Sequence, residues 1–501
     1  MHIEKHGKIN NRTLIIGAGM AGLAAAVCLS AKGENVVVLE AHDNPGGKMR
    51  QINSDIGGID SGPTVFTMKY VFDKLFDLAG TTVENELNLE KATVLARHAW
   101  DDQGVFDLYA DREQSTQAIA QFFDSENARG YERFCRDAGH IYETLKDTFM
   151  DAQRPGPLEL GSRVGLTRLP TLWKLKPLST LWSALQGYFP DSRLQQLFGR
   201  YGTYVGSSPF QAPATLMLIA HVEQEGVWLI KNGMFELSKA LSRIAGNNGA
   251  EIRRHSKVAK IIVEGGSARG VELESGELLI GSNILYCGDV SDLPHKVTDK
   301  TRDVPAPVAQ KDRSLSAITW SMSARTTDFP LSRHNVFFAQ DYLEEFESIF
   351  DRGYSPVRPT VYICAQDREE SENTLDGPER LLCLINAPAN GDINTLTKKE
   401  LEQCQTNMTA TLNRCGLTLE PLQQVITQPS DFNKMFPGSG GALYGRASHG
   451  WTASFARPGA KTKIPQLYLA GGSVHPGAGV PMATLSGMLA AEQILKDRVL
   501  T

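Results

Sequence analysis

The feature that most constrains the fold is an apolar segment near the N-terminus that runs into a glycine-rich turn. Residues 13–16 are apolar apart from the first, residues 17–22 read Gly-Ala-Gly-Met-Ala-Gly, and an alanine-rich helical segment follows over 23–29. Residues 36–39 then predict a second buried strand, which ends at Glu40. Two apolar strands joined by a helix are typical of a parallel sheet that is covered on both faces. The sequence therefore predicts an α/β fold that begins with a Rossmann-like unit.

The spacing of the glycines in this turn predicts a dinucleotide site. Gly17 allows a tight turn, Gly19 lets the backbone approach a pyrophosphate, and Gly22 lets the helix pack closely on the strand. We expect the amides at the start of the helix, around Met20 and Ala21, to donate hydrogen bonds to the phosphates.

An acidic residue at the end of the second strand narrows the choice of dinucleotide. Glu40, which precedes Ala41, lies where a carboxylate can accept hydrogen bonds from the ribose hydroxyls of adenosine. A 2′-phosphate at that place would meet a negative charge, so NADP is disfavoured. A helix-capping turn without a ligand is the alternative, but strand, turn, helix, strand and acid in register favour a dinucleotide site.

A glycine doublet, Gly46 and Gly47, follows this unit and is itself followed by Lys48 and Met49. It resembles the doublet after the first dinucleotide unit in the amine oxidase and phytoene desaturase superfamily of FAD proteins. Arginine is usual after the doublet there; Lys48 keeps the positive charge but lacks the planar fork. A plain surface turn is the alternative for the doublet. The resemblance implies one FAD, bound non-covalently.

A further segment, which contains Gly62, Pro63 and Thr64, is similar to one that passes near the flavin in carotenoid desaturases. We therefore expect these residues to contact the cofactor.

The C-terminal region repeats the pattern of strand, glycine-rich loop and helix. Residues 467–470 predict a short strand and 482–489 a helix, and the loop between them contains Gly471, Gly472, Gly479, Val480 and Pro481. Such a loop offers backbone amides to an anion or a ring. Residues 468–487 resemble the C-terminal signature of bacterial carotenoid desaturases, whose loop closes over the flavin ring and pyrophosphate. Two halves of one FAD site at opposite chain ends imply an inserted substrate domain.

The middle of the chain is expected to add to both domains. Residues 251–253, 258–263 and 270–273 alternate like antiparallel strands, with a turn at 265–266, and 283–287 return to the sheet before Gly288. The resemblance implies that the strand containing Val258 contacts the adenine, and Gly288 is expected at the same site; simple burial is the alternative for Val258. We expect FAD-binding parts at 1–80, 236–300 and 436–501, a helical membrane or substrate part at 81–235, and an α+β substrate part at 301–435.

Composition argues against several classes of protein. A formal net charge of -6 at pH 7 argues against a nucleic-acid binder. The seven cysteines form no Cys-x-x-Cys pair, so no metal site is expected, and their spacing suits a reducing cytosol. The first eleven residues lack a secretory signal, and no apolar run is long enough to span a membrane. No second dinucleotide motif is present, so we expect electrons to leave to oxygen, a quinone or a protein acceptor.

Residues 161–190 carry Arg163, Arg168, Lys174 and Lys176 among leucines and tryptophans, without an acid. Leucine and tryptophan beside isolated cations are typical of an interfacial segment, which predicts a cytoplasmic protein bound peripherally to the inner face of the membrane. An ordinary helical hairpin packed on the core is equally compatible with this pattern.

From residue 14 to about 495, the order of motifs resembles bacterial carotenoid desaturases of the phytoene dehydrogenase family. Segments 152–155, 180–185, 196–201, 206–217 and 221–228 most resemble the 1-hydroxycarotenoid 3,4-desaturases, also called methoxyneurosporene dehydrogenases. The resemblance implies a long apolar polyene substrate and hydride transfer from an allylic carbon to flavin N5. A phytoene-type desaturase, a flavin amine oxidase, a redox-neutral carotenoid isomerase and a non-enzymatic prenyl-chain-binding protein remain alternatives.

His475 is the only histidine in the loop that closes over the flavin, and an ordinary histidine pKa would suit a catalytic base. A hydrogen bond to the backbone or to an FAD phosphate is the alternative role.

Overall fold

The chain forms two lobes, each built around a β-sheet. The computed structural model describes residues 12–101, 104–156, 159, 163, 179–299, 301–368, 377–450 and 452–499. The strands are β1 (Arg12–Ile16), β2 (Asn35–Leu39), β3 (Gln51–Ser54), β4 (Gly57–Asp60), β5 (Phe66–Thr67), β6 (Leu89–Lys91), β7 (Val94–Ala99), β8 (Val105–Tyr109), β9 (Val227–Ile230), β10 (Glu251–Arg253), β11 (Val258–Glu264), β12 (Ser267–Leu273), β13 (Leu278–Ile280), β14 (Asn283–Tyr286), β15 (Ser316–Thr327), β16 (His334–Phe337), β17 (Val361–Ala365), β18 (Glu379–Ala387), β19 (Thr418–Thr427) and β20 (Leu467–Leu469). The helices are α1 (Met20–Ser30), α2 (Lys69–Leu78), α3 (Val83–Glu86), α4 (Arg112–Phe122), α5 (Ser125–Leu145), α6 (Leu181–Gln186), α7 (Ser192–Gly199), α8 (Leu218–Glu225), α9 (Phe235–Asn247), α10 (Leu293–Lys296), α11 (Tyr342–Phe350), α12 (Lys398–Arg414), α13 (Pro429–Met435) and α14 (Val480–Val499). A π-helix spans Lys146–Met150, and short 3-10 helices span Arg200–Val205, Ala214–Met217, Thr301–Asp303, Gln310–Asp312 and Ala453–Ala456.

The dinucleotide lobe is built on a five-stranded parallel sheet in the order β10-β2-β1-β14-β20. Helices α1, α9 and α14 cover one face, and the antiparallel sheet of β11, β12 and β13 covers the other. Strands β1 and β2 can therefore be apolar on both sides, as the sequence predicted. The α/β fold is confirmed, and both ends of the chain contribute strands to one sheet.

One strand expectation is wrong and one helix is longer than expected. Residues 251–253 form β10, which lies parallel to β2 rather than in an antiparallel pair. Helix α9 precedes β10 and carries the chain back across the sheet, and such a crossover connects parallel strands. Helix α14 begins at Val480, before the predicted start, because Pro481 fits the first turn, where its missing N–H has no intrahelical partner.

The substrate lobe is built on a seven-stranded sheet in the order β19-β15-β18-β17-β16-β7-β8. Because side chains alternate along a strand, Trp320 and Ile363 face helix α12, whereas His334 and Tyr362 face the opposite side. Helices α5, α6 and α7 pack with the aromatic side chains of Trp100 after β7, Phe106 in β8 and Phe338 after β16. The domain limits that the sequence suggested stay a prediction.

The basic stretch over 161–190 is only partly visible, because residues 161, 162 and 164–178, with Arg168, Lys174 and Lys176, lie outside the described residues. Arg163 forms an ion pair with Glu159 at 2.5 Å. Leu181 and Leu185 of helix α6 are fully buried in the core of the substrate lobe. The described part of this stretch thus packs on the core. Among the described residues, no helix has both the length and the apolar character needed to cross a membrane.

Candidate active site

The glycine-rich loops from the two ends of the chain lie beside each other. The Gly46 amide donates a hydrogen bond to Ala18 O at 2.8 Å, which brings the glycine doublet onto the first turn. A Cβ on Gly17 would lie 3.8 Å from Cys287, and one on Gly471 would lie 3.5 Å from Cys287 O. Strands β1 and β20 flank β14, so their ends are roughly 10 Å apart, two strand spacings. Both loops therefore open onto one groove.

One group of glycines is required by protein packing. A Cβ on Gly22 would lie 2.0 Å from the carbonyl oxygen of Gly17, and one on Gly62 would lie 2.0 Å from that of Lys48. A Cβ on Gly46 would lie 2.3 Å from Met49 O. These distances are far below any real carbon–oxygen contact, so the loops could not approach each other with larger residues.

Another group of glycines has no such neighbour. Gly19 has a φ of -70°, which any residue can adopt. A Cβ on Gly19 would meet only Gly47 Cα at 4.0 Å, and one on Gly472 would meet only Ala478 at 3.8 Å or more. Protein packing does not explain glycine here. Because these glycines have no side chain, they leave an open cradle along the groove, which fits the close approach of a dinucleotide.

The start of helix α1 and Glu40 form the polar side of this cradle. Helix α1 has no side-chain cap and no acid in its first turn, which leaves its positive end available to an anion. Glu40, only 5% exposed, accepts hydrogen bonds from Ala18 N at 2.7 Å and His42 N at 2.9 Å. Each carboxylate oxygen keeps room for a further donor, such as a ribose hydroxyl.

The segment before Val258 reaches this corner, since Ser256 N donates to Glu40 O at 2.7 Å. Lys296 Nζ donates to the carbonyl of Val258 at 3.2 Å. Val258 therefore lies near the ribose side of the groove, with its carbonyl already engaged by a cation.

Two cations lie beside the glycine-rich loops of the groove. Lys48 Nζ donates to Leu443 O at 2.6 Å, and Arg457 donates to Gly472 O at 2.6 Å and to Tyr444 O at 3.0 Å. Burial lowers the pKa of Lys48 and lowers that of Arg457 to about 10. Within the described part of the chain, no carboxylate lies within 4.0 Å of either cation. Asp289 raises the pKa of both cations from beyond that distance, and a bound pyrophosphate would add further negative charge.

Arg457 is a site residue that the sequence did not reveal. It stands alone before Pro458, outside the predicted strand and loop, and no motif marks it. Only its contact with the Gly472 loop shows that it belongs to the groove.

The other residues predicted to contact the cofactor lie around the same groove. Gly288 follows β14, and its carbonyl oxygen would lie 4.0 Å from a Cβ on Gly471. Gly479 precedes α14, and Val480 and Pro481 form the buried start of that helix. Ala41 follows Glu40 in the chain, Met49 follows Lys48, and Pro63 follows Gly62.

Thr64 connects the groove to the substrate lobe. Its Oγ1 lies 2.7 Å from the Tyr362 hydroxyl, which lies 2.8 Å from His334 Nδ1. Burial lowers the pKa of His334 to about 3, with Arg333 and Arg200 adding to the effect, so this imidazole is neutral.

An internal space adjoins these residues. Lys48, Cys287, Tyr204, Tyr362 and Tyr444 lie deep inside the protein, yet protein atoms leave each side chain partly uncovered. Partial exposure of side chains so far inside the protein indicates open space beside each of them. We call these five side chains the cavity wall: Lys48 and Cys287 come from the loops of the groove, and Tyr204 and Tyr362 come from the substrate lobe.

A polar cluster lies at the substrate-lobe end of this wall. Glu223, 4% exposed, accepts hydrogen bonds from Tyr201 OH at 2.7 Å and Tyr204 OH at 2.8 Å. Arg200 NH1 donates to Tyr204 OH at 2.7 Å. The two phenols thus separate a buried cation from a buried carboxylate, and no sequence motif announced this arrangement.

His475 is held by the backbone. Its Nε2 lies 2.9 Å from Ala152 O, and its ring packs edge-on against Phe149 at 4.8 Å. Burial lowers the pKa of His475 to about 4. Nδ1 is enclosed and has no partner among the described residues. The structure thus shows the backbone contact that the sequence left as the alternative to catalysis.

Comparison with known proteins places this geometry in a family. Residues 20–495 match the family of flavin-containing amine oxidoreductases. The chain is 45% identical to a hydroxyneurosporene desaturase of Rubrivivax gelatinosus, with 97% of this chain and 93% of that protein covered. It is 31% identical to a 1-hydroxycarotenoid 3,4-desaturase of a Flavobacterium species, with 96% and 99% covered.

Solved structures share the fold at low sequence identity. A triple mutant of putrescine oxidase has a TM-score of 0.61 at 14% identity, with 97% of this chain and 99% of that chain covered. Cyclohexylamine oxidase from Brevibacterium oxydans has a TM-score of 0.57 at 14% identity, with the same coverage. The chain belongs to the flavin-containing amine oxidoreductases and, within them, to the bacterial carotenoid desaturases: it is an oxidoreductase whose cofactor is FAD.

Proposed function

We propose that this protein desaturates the C3–C4 bond of an acyclic carotenoid that carries a 1-hydroxyl group. The observation that supports this most is near-full-length similarity, at 45%, 41% and 39% identity, to proteins named hydroxyneurosporene desaturase. The relative named 1-hydroxycarotenoid 3,4-desaturase supports the choice of bond.

The cofactor is proposed to lie along the glycine cradle. Gly19 and the start of α1 bind the pyrophosphate, and Glu40 accepts hydrogen bonds from the ribose hydroxyls. The Gly471 loop covers the end of the groove that holds the flavin ring. Lys48 and Arg457 offset the negative charge of the bound cofactor. When bound, FAD supplies an oxidised ring that accepts a hydride from an allylic carbon.

The cavity wall aligns the polyene and excludes water. One C–H bond gives up a hydride and the neighbouring C–H bond gives up a proton, which leaves a new double bond in conjugation with the rest. The two electrons then pass to oxygen, a quinone or a protein acceptor. His475 as proton acceptor stays a prediction, which its engaged Nε2 and lowered pKa weaken.

We also propose that the protein takes its substrate from the inner face of the membrane. A long hydrocarbon has almost no solubility in water and partitions into lipid, so we expect the protein to meet its substrate at a lipid surface.

A substrate panel tests the proposal. Purified protein with FAD receives lipid-dispersed acyclic carotenoids that differ only in the 1-hydroxyl group. We expect a red-shifted product that has lost two hydrogens, from the hydroxylated chains alone. Equal action on phytoene would contradict the 3,4-desaturase assignment, an unchanged mass would indicate an isomerase, and turnover of amines instead would indicate an amine oxidase.

A further inference from the structure

The proposed substrate carries its polar group close to the bond that reacts, and the inference below rests on that proposed function. C3 is two bonds from the hydroxyl-bearing C1, so the partner of the hydroxyl lies within roughly 6–8 Å of the reacting carbons. Such a partner must therefore be sought in the cavity wall next to the flavin groove, not at the distant end of a tunnel.

Tyr362 has the required position. Its hydroxyl contacts Thr64, which lies two residues after Gly62, the glycine that packs on Lys48 O, and its side chain belongs to the partly uncovered cavity wall. A phenol oxygen can donate one hydrogen bond and accept others, and Tyr362 has protein neighbours at Thr64 and His334.

The tautomer of His334 decides what Tyr362 can still do. His334 is neutral and carries one ring proton, and its Nε2 is enclosed without a partner among the described residues. A proton on Nε2 would leave a buried donor unpaired, whereas a proton on Nδ1 can be donated to Tyr362. When the Thr64 hydroxyl donates to Tyr362 as well, the Tyr362 proton is free for a third partner.

Tyr204 offers the complementary atom. Its hydroxyl donates to Glu223 Oε1 at 2.8 Å and accepts from Arg200 NH1 at 2.7 Å, so its oxygen keeps one place for a further donor. Its side chain is partly uncovered as well. Tyr204 and Arg200 both lie near enough to influence the pKa of Tyr362, which burial raises.

We propose that Tyr204 and Tyr362 form the receptor for the substrate's 1-hydroxyl group. The hydroxyl donates its proton to the oxygen of Tyr204 and accepts the proton of Tyr362. Arg200, Glu223 and His334 are positioning residues, because they fix which phenol donates and which accepts. A hydrocarbon end forms a hydrogen bond with neither phenol. An ether oxygen can accept a hydrogen bond from Tyr362 but cannot donate one to Tyr204.

The test compares phenylalanine variants by the ratio of kcat/KM for a 1-hydroxylated chain to kcat/KM for the matched hydrocarbon. Y204F and Y362F are expected to lower this ratio about tenfold or more, since each removes one hydrogen bond to the hydroxyl. Y201F is the matched control: Tyr201 donates to the same Glu223 at 2.7 Å but is only 1% exposed. Its ratio should stay within about twofold of wild type, because Tyr201 does not contact the substrate hydroxyl.

The receptor is refuted if Y204F and Y362F keep the wild-type ratio, or if Y201F lowers it equally. Flavin absorbance and thermal unfolding of each variant show that it is folded and loaded. A second arm needs no variant: the 1-methoxy ether of the same chain, given to the wild type, should react about tenfold more slowly than the alcohol, because it keeps the bond from Tyr362 and loses the bond to Tyr204. Ether turnover equal to that of the alcohol would overturn the proposal.

The same data separate this inference from the proposed function. If the wild-type protein does not prefer the hydroxylated chain, the proposed function is wrong. If the wild-type preference persists in Y204F and Y362F, only the proposed receptor is wrong.

Discussion

The dinucleotide lobe and the substrate lobe place polar groups in their interiors by opposite means. In the dinucleotide lobe the backbone supplies them, through the start of α1 and the loops at Gly19 and Gly472. In the substrate lobe side chains supply them, with Arg200 and Glu223 bridged by Tyr204. A loop carries its backbone amides wherever it folds, whereas buried side chains depend on partners from other segments. The cofactor site is therefore a local property, and the polar cluster is a property of the whole lobe.

The strongest test of this contrast removes Arg200. R200M leaves the carboxylate of Glu223 buried without its cation, which is expected to lower the free energy of unfolding by about 3–5 kcal/mol. Urea unfolding of the FAD-loaded protein measures the change. The double variant R200M/E223Q should recover part of the loss, and a loss below about 1 kcal/mol in the single variant would show that the cluster does not depend on its cation.

A pair of glycine variants sharpens the contrast within the dinucleotide lobe. G22A is expected to destabilise the FAD-free protein by about 1–3 kcal/mol, because its Cβ would press on the Gly17 carbonyl. G19A is expected to lower that stability by at most about 1 kcal/mol, the cost of alanine at a helix N-cap, because its Cβ meets no close protein atom. Both should weaken FAD binding. Equal destabilisation of the FAD-free protein would contradict the division of the glycines into packing and cradle positions.

Glu40 tests whether the cradle also uses a side chain. E40A removes the acceptor proposed for the ribose hydroxyls and is expected to raise the Kd of FAD about 10- to 100-fold. Fluorescence titration of the FAD-free protein measures the affinity, and E40Q, which keeps the size of the side chain, serves as the control. Unchanged affinity in E40A would refute the ribose contact.

His475 tests whether a side chain of the C-terminal loop takes part in catalysis. A glutamine can keep a hydrogen bond to Ala152 O, so H475Q is expected to lower kcat by less than about tenfold. A fall of about 100-fold or more, measured at saturating substrate, would instead support His475 as the proton acceptor.

The smallest expected effect is a change in the pH dependence of stability. The pKa of His475 falls from 6.5 to about 4 on burial, so between these values the unfolded chain binds a proton that the folded chain does not. Stability should therefore decrease as the pH is lowered from 6.5 to 4, and H475Q should make that decrease shallower. Parallel curves for wild type and variant in urea unfolding would contradict this assignment.

The sequence predicted the dinucleotide lobe well because its determinants are local. Gly22 must be glycine for a contact with Gly17, five positions away, and Glu40 lies at the end of the next strand. Strand β10 was misread because direction within a sheet depends on the preceding crossover helix and not on alternation.

The substrate side could not be predicted in the same way. Arg200 and Tyr362 lie far apart in the chain. Nothing in the residues next to either one indicates that it belongs to a polar region of the cavity wall. Arg457 likewise is recognisable as a site residue only from its hydrogen bond to the Gly472 carbonyl. Such contacts become visible only when the lobes are packed.

The order of strands also governs when the molecule can be assembled. The central strand β14 lies between β1, from the start of the chain, and β20, from near its end. During synthesis the N-terminal strands emerge first but lack their β20 edge and the covering α14. Contacts over so long a stretch of chain form late. We therefore expect the nucleotide cleft to close only after β20 and α14 have been synthesised and have packed against β14 and α1.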